Sequence, residues 1–101
     1  MKKYEMIMEK IRRNYLVLKD KYKIRTLALF GSYVRGAQKK KNDVDILVEF
    51  DEPVGLFKFM ALERELSAII GKKVDLVMKT ALKPRIGEYI LREAIYIYEK
   101  A

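Results

Sequence analysis

One stretch constrains this chain more than any other. From Thr26 to Phe50 an apolar run, TLALF, ends in Gly31-Ser32. A basic loop follows, and Asp43 and Asp45, one residue apart, then open a second apolar run, DVDILVEF. In a β-strand successive side chains point to opposite faces, so Asp43 and Asp45 share one face, roughly 6.6 Å apart along the strand. Val44, Ile46, Val48 and Phe50 take the other face, the one expected to be buried. Two neighbouring carboxylates repel, and burying them unpaired is costly, so they need a cation or a solvated rim. A hard divalent ion fits: Mg²⁺ takes one or two protein carboxylates, keeps several waters and completes its shell with substrate phosphates.

Gly31-Ser32 closes the first strand, where the chain must turn sharply. Gly31 allows close approach of the main chain or a positive φ, and SYVRGAQK after it reads as a short helix capped by Ser32. A helix N-terminus at the end of a strand attracts phosphate through its unpaired N–H groups. Strand, phosphate-sized turn and acidic strand together suggest metal-assisted chemistry on a nucleotide.

Gly31-Ser32, ten intervening residues and Asp43-Val44-Asp45 resemble the nucleotidyltransferase signature of the DNA polymerase β superfamily. The fuller string GSYVRG…NDVDILV is similar to the minimal nucleotidyltransferases, the MNT antitoxins paired with HEPN toxins. The resemblance covers nearly the whole chain. It implies an α/β (α+β) nucleotidyltransferase fold, a small mixed β-sheet flanked by helices in a single domain over residues 1–101. It also implies that Asp43 and Asp45 hold catalytic Mg²⁺, with two ions expected, that Gly31 and Ser32 contact the phosphates of ATP, and that a third acid lies on a later strand. Asn42 stands where the family commonly has Ser, which leaves the metal carboxylates untouched.

The third acid has a candidate in the residues themselves. KKVDLVM, residues 72–78, repeats the local pattern Val44-Asp45-Ile46 as Val74-Asp75-Leu76. Two such strands side by side in register bring Asp75 to the face of Asp43 and Asp45; otherwise Asp75 is a surface aspartate on an edge strand. In the superfamily the third acid completes a metal shell and helps deprotonate the attacking hydroxyl. Arg35 is a candidate triphosphate contact or the ion-pair partner of an acid on its own helix, and Lys39, Lys40 and Lys41 read as a solvated loop.

The rest of the chain frames this stretch. Tyr4, Ile7, Met8, Ile11, Tyr15, Leu18 and Tyr22 recur at three- and four-residue steps and predict one amphipathic helix from Lys2 to about Tyr22. Leu27 and Leu29 face one side of the strand that follows, Ala28 and Phe30 the other. Asp51 to Gly55 breaks the chain. Leu56, Phe59, Met60, Leu62, Leu66, Ile69 and Ile70 then predict a helix that Gly71 closes. Pro84 suits the first turn of a last helix, with Ile86, Ile90, Leu91 and Ala94 on its apolar side. IYIY at residues 95–98 reads as a closing strand, and exposed tyrosines near this end are candidates for a partner surface.

Composition excludes several alternatives. The 101 residues suit one domain. With no Cys and no His, disulfides, a thiol nucleophile, the usual zinc sites and an imidazole base are all absent, so base work falls to a carboxylate. No apolar run approaches the length of a membrane span and no signal peptide is visible, so a cytoplasmic location is expected. The net charge of +8 attracts phosphate in general, but Lys and Arg are spread along the whole chain. No nucleic-acid-binding module is visible, and nucleic acid is not the expected direct partner.

The resemblance implies transfer of AMP from ATP to a tyrosine hydroxyl of a HEPN-domain toxin, within a hetero-oligomer of toxin and antitoxin. Two alternatives stand beside it: an antitoxin that neutralises its toxin by binding alone, and a small-molecule nucleotidyltransferase that relies on another chain for its acceptor.

Overall fold

The computed structural model describes residues 2–36 and 43–99. Among them the elements run α1 (Lys3–Arg12), α2 (Tyr15–Tyr22), β1 (Ile24–Phe30), α3 (Ser32–Arg35), β2 (Val44–Phe50) and α4 (Leu56–Ile70). Then come β3 (Val74–Met78), a single 3₁₀ turn (Lys79–Ala81), α5 (Pro84–Glu93) and β4 (Ile95–Glu99). The strands form one mixed sheet in the order β3-β2-β1-β4. β1 pairs antiparallel with both β2 and β4, whereas β2 and β3, joined through α4, are parallel.

The alternation read from the strands decides the layers. Leu27 and Leu29 of β1, Val44, Ile46 and Val48 of β2, and Val74 and Leu76 of β3 enter one core, with buried residues of α1, α2 and α4 packed over them. Ala28, Phe30 and Leu47 face the other side and form a smaller cluster with Val77, Leu82, Ile90, Ala94 and Tyr96. Helices therefore cover both faces, α5 lying on the face that carries the aspartates. Each buried Leu, Ile or Val contributes roughly 1.5–3 kcal/mol over its exposed state, so a one-residue slip of β2 is strongly disfavoured because it would turn its core residues outward.

The first helix differs from the sequence expectation: the stripe from Tyr4 to Tyr22 is carried by two helices. Asn14 leaves the helical region at φ −114°, ψ 2°, and its side-chain amide donates to the Lys10 carbonyl at 3.0 Å. Such a local side-chain bond competes with the helical ladder. The stripe survives the break, since Ile7, Met8 and Ile11 of α1 and Leu18 and Tyr22 of α2 are all buried.

Helices α4 and α5 fall where expected, and Gly71 closes α4 with φ +78°. Their apolar sides are narrower than the sequence suggests. Burial in α4 begins at Leu62, and Leu56 and Met60 face solvent. In α5, Gly87, Ile90 and Ala94 line the face toward the sheet, while Ile86 and Leu91 lie off it and are exposed. A stripe is buried only where a facing element exists, which residue spacing alone does not reveal. No helix among the described residues is long and apolar enough to cross a membrane.

Candidate active site

Two strand registers assemble the site. In the antiparallel ladder Phe30 stands opposite Asp45, so β1 ends beside the start of β2. In the parallel ladder Asp45 stands opposite Asp75, on strands about 4.8 Å apart. Asp43 precedes β2 on the same side. The expected convergence of Asp43, Asp45 and Asp75 on one face of neighbouring strands is what the pairing produces.

The edge strand that carries Asp75 is held by α4. Val74 N–H donates to Ser67 Oγ at 3.0 Å and Leu76 N–H to Glu63 Oε2 at 2.9 Å. These bonds take edge donors that would otherwise be open to another strand, and they fix the register on both sides of Asp75.

Gly31 shows both properties the sequence anticipates. Its backbone lies at φ +79°, ψ −152°, a region almost confined to glycine. A Cβ at this position would collide with the Asp45 carboxylate, lying 3.0 Å from its Cγ. The turn therefore touches the acidic strand directly. One expectation is corrected: Gly31, not Ser32, is the cap residue of α3, and Ser32 is the first residue inside the helix. The helix is also shorter than read, ending at Arg35 before Gly36 at φ +72°. Lys39, Lys40, Lys41 and Asn42 lie outside the described residues.

Arg35 pairs with an acid, but on another helix. Its Nη1 donates to both carboxylate oxygens of Glu93, at 3.0 and 3.1 Å, and Glu93 Oε1 also accepts the Gly31 N–H at 3.4 Å. Glu93, at the end of α5, escapes sequence reasoning, as does Lys73, whose Nζ lies 3.9 Å from Asp43 Oδ2. The one sequence signal for Glu93 is its position just before the closing strand β4, which borders β1.

The local field is strongly negative. Burial, then the charges of Asp75 and Asp43, push the Asp45 carboxyl up to about 6 from an ordinary 3.8; Arg35 opposes this and Glu93 adds to it. A set of carboxylate oxygens is the donor chemistry that suits a hard divalent cation such as Mg²⁺. Among the described residues no three acids are drawn tightly enough to hold a metal ion by themselves. A concavity of about 380 Å³ at the far end of β2, lined by Val48, Glu49, Asp51, Glu52, Val54 and Met78 among others, does not include Asp43, Asp45 or Asp75.

Residues 11–97 match the nucleotidyltransferase domain family. The chain belongs to that family. Among curated relatives of this nucleotidyltransferase, the protein adenylyltransferase MntA of Thermococcus cleftensis is 49% identical over 80 residues, spanning 79% of this chain and 81% of the relative. Solved structures agree on the fold. A toxin–antitoxin with AMP-PNP superposes with TM-score 0.75 at 23% identity, over 92% of this chain and 73% of the other. A tri-AMPylated HEPN toxin of Shewanella oneidensis in complex with its MNT antitoxin gives TM-score 0.68 at 19% identity, over 93% and 73%.

Proposed function

We propose that this nucleotidyltransferase is an antitoxin that transfers AMP from ATP to a tyrosine hydroxyl of a HEPN-domain toxin, with Asp43, Asp45 and Asp75 as its Mg²⁺-holding carboxylates. The observation that carries this reading is the pairing of Asp45 with Asp75 directly beside a glycine turn that Asp45 touches. The similarity to a named protein adenylyltransferase and the fold shared with antitoxins solved beside AMP-PNP and a tri-AMPylated toxin support it.

In the reaction the acceptor oxygen bonds to the α-phosphorus, the bond from that phosphorus to the β-phosphate oxygen breaks, and pyrophosphate leaves. Asp75, exposed at the rim, is reachable by an incoming hydroxyl and takes part in removing its proton. Gly31 and Ser32 hold the phosphate tail at the turn. When bound, Mg²⁺ supplies charge neutralisation and Lewis acidity at the phosphates. Such transfers depend mainly on positioning and electrostatic stabilisation, and rigid strands holding the acids serve both.

The test separates catalysis from plain binding. Asp43→Asn with Asp45→Asn should abolish AMP transfer and toxin neutralisation while the toxin complex still forms. Unchanged neutralisation by the variant would instead establish an antitoxin that works by binding alone. Transfer to a small hydroxyl compound with none to the toxin would establish the small-molecule enzyme.

A further inference from the structure

We propose that Glu93 is a positioning residue for nucleotide binding, one carboxylate that holds both the Gly31 turn and the Arg35 guanidinium in place for the triphosphate. This rests on the nucleotidyltransferase reading of the site above and adds to it a residue outside the Gly-Ser and Asp-x-Asp motifs.

The geometry is specific. Both carboxylate oxygens of Glu93 accept from the single Arg35 Nη1, at 3.0 and 3.1 Å, and Oε1 also accepts the Gly31 N–H at 3.4 Å. Its side chain is only 14% exposed whereas that of Arg35 is 47% exposed, so the acid is the anchored member and the guanidinium the outward one. Glu93 is itself fixed by α5, which packs on the sheet through Ile90 and Ala94. Close approach at Gly87, where a Cβ would lie 3.0 Å from that of Leu82, seats the same helix.

The turn requires such a restraint. Glycine at φ +79°, ψ −152° has no intrinsic preference for that conformation and pays a large entropy to adopt it. The bond to Gly31 is long, at 3.4 Å, but its acceptor is charged and is itself held by the shorter contacts to Arg35. A carboxylate beside a polyphosphate site would ordinarily repel the ligand. Arg35 removes that difficulty: paired, it cancels the charge of Glu93, and its exposed side is left for the phosphates. Phosphate recognition by a planar, pre-oriented guanidinium is tighter than by a free one.

The test uses the full chain with MgATP, comparing wild type, Glu93→Gln, Glu93→Ala and Arg35→Ala. Glu93→Ala should weaken ATP binding about tenfold, the loss of roughly one charge-assisted hydrogen bond, and raise KM more than it lowers kcat. Glu93→Gln, which keeps an acceptor for Gly31, should lose less. In the Arg35→Ala background Glu93→Ala should cost less than in wild type, because losing the hold on Gly31 is offset by removing a carboxylate that no longer has Arg35 to neutralise it. A reading without nucleotide accompanies these: the Gly31 amide proton should move upfield in Glu93→Ala.

ATP affinity within twofold of wild type in a folded Glu93→Ala, or a Gly31 amide that does not move, overturns the inference alone. Where Glu93→Ala does not fold, wild-type ATP affinity in Glu93→Gln, which loses the charge that pairs with Arg35, overturns it equally. Failure of the wild-type chain to bind MgATP overturns the parent reading and this inference together.

Discussion

Asp45 of β2 and Asp75 of β3 stand opposite each other across a parallel ladder, and the charge of Asp75 ranks next after burial in raising the Asp45 carboxyl. Two like charges brought side by side by the backbone pairing are a standing cost.

Replacing either carboxylate therefore separates stability from activity. Asp75→Asn should raise the Tm of the metal-free protein, because it removes like-charge repulsion. The same change should slow AMP transfer at least about 100-fold, since charge stabilisation by a bound metal ion is worth several kcal/mol. Thermal melts without Mg²⁺ and transfer rates with it check the two halves.

The pH dependence has a definite sign. The folded Asp45 carboxyl titrates at about 6, above its ordinary 3.8, so between these values the folded state binds the proton more tightly than the unfolded one. For this group, metal-free stability is greatest below 3.8, falls as pH rises through 6, and is then flat. Because Mg²⁺ binds the carboxylate form, the rise in Tm on adding Mg²⁺ should be small near about pH 5 and larger near about pH 7.5. Melting curves with and without Mg²⁺ across that range measure it.

Gly31→Ala should destabilise the fold by about 1–3 kcal/mol from backbone strain alone, with further loss from the collision with Asp45. Urea denaturation reads the first. Gly36→Ala, also at positive φ but with open space around the new Cβ, should bring backbone strain without any collision and so serves as the comparison.

Away from the site, Tyr22 donates its hydroxyl to Glu65 at 2.6 Å, and burial followed by Glu65 pushes its ionisation up to about 12. Tyr22→Phe should cost roughly 1.5–3 kcal/mol of stability, the worth of a hydrogen bond to a charged acceptor. Lys21 remains within 3.4 Å of Glu65 to limit the loss. Chemical denaturation measures the change, and AMP transfer should be unaffected.

Much of this molecule was legible in its residues because strands have a period of two. The faces of Asp43, Asp45 and Asp75 followed from alternation, and the shared Val-Asp-Ile and Val-Asp-Leu patterns anticipated the register that pairs Asp45 with Asp75. Gly31 was legible for a steric reason, since a side chain there has no room. Helix periodicity carried less information. The stripe from Tyr4 to Tyr22 runs unbroken through Asn14, where the backbone does not. Leu56 and Ile86 keep the spacing of a buried face but no element among the described residues buries them. Glu93 was hard to place because its partners, Arg35 and Gly31, are 58 and 62 residues away and meet it only through the antiparallel pairing of β4 with β1, which sets Ile95 opposite Leu29.

The most direct measurement incubates the purified chain with Mg²⁺, α-labelled ATP and a purified HEPN-domain toxin, and asks where the label goes. The expected result is label on a tyrosine of that protein, release of pyrophosphate and loss of its toxic activity, all absent with Asp43→Asn and Asp45→Asn. A toxin that is bound and silenced by the wild-type chain without acquiring label would contradict the proposed reaction.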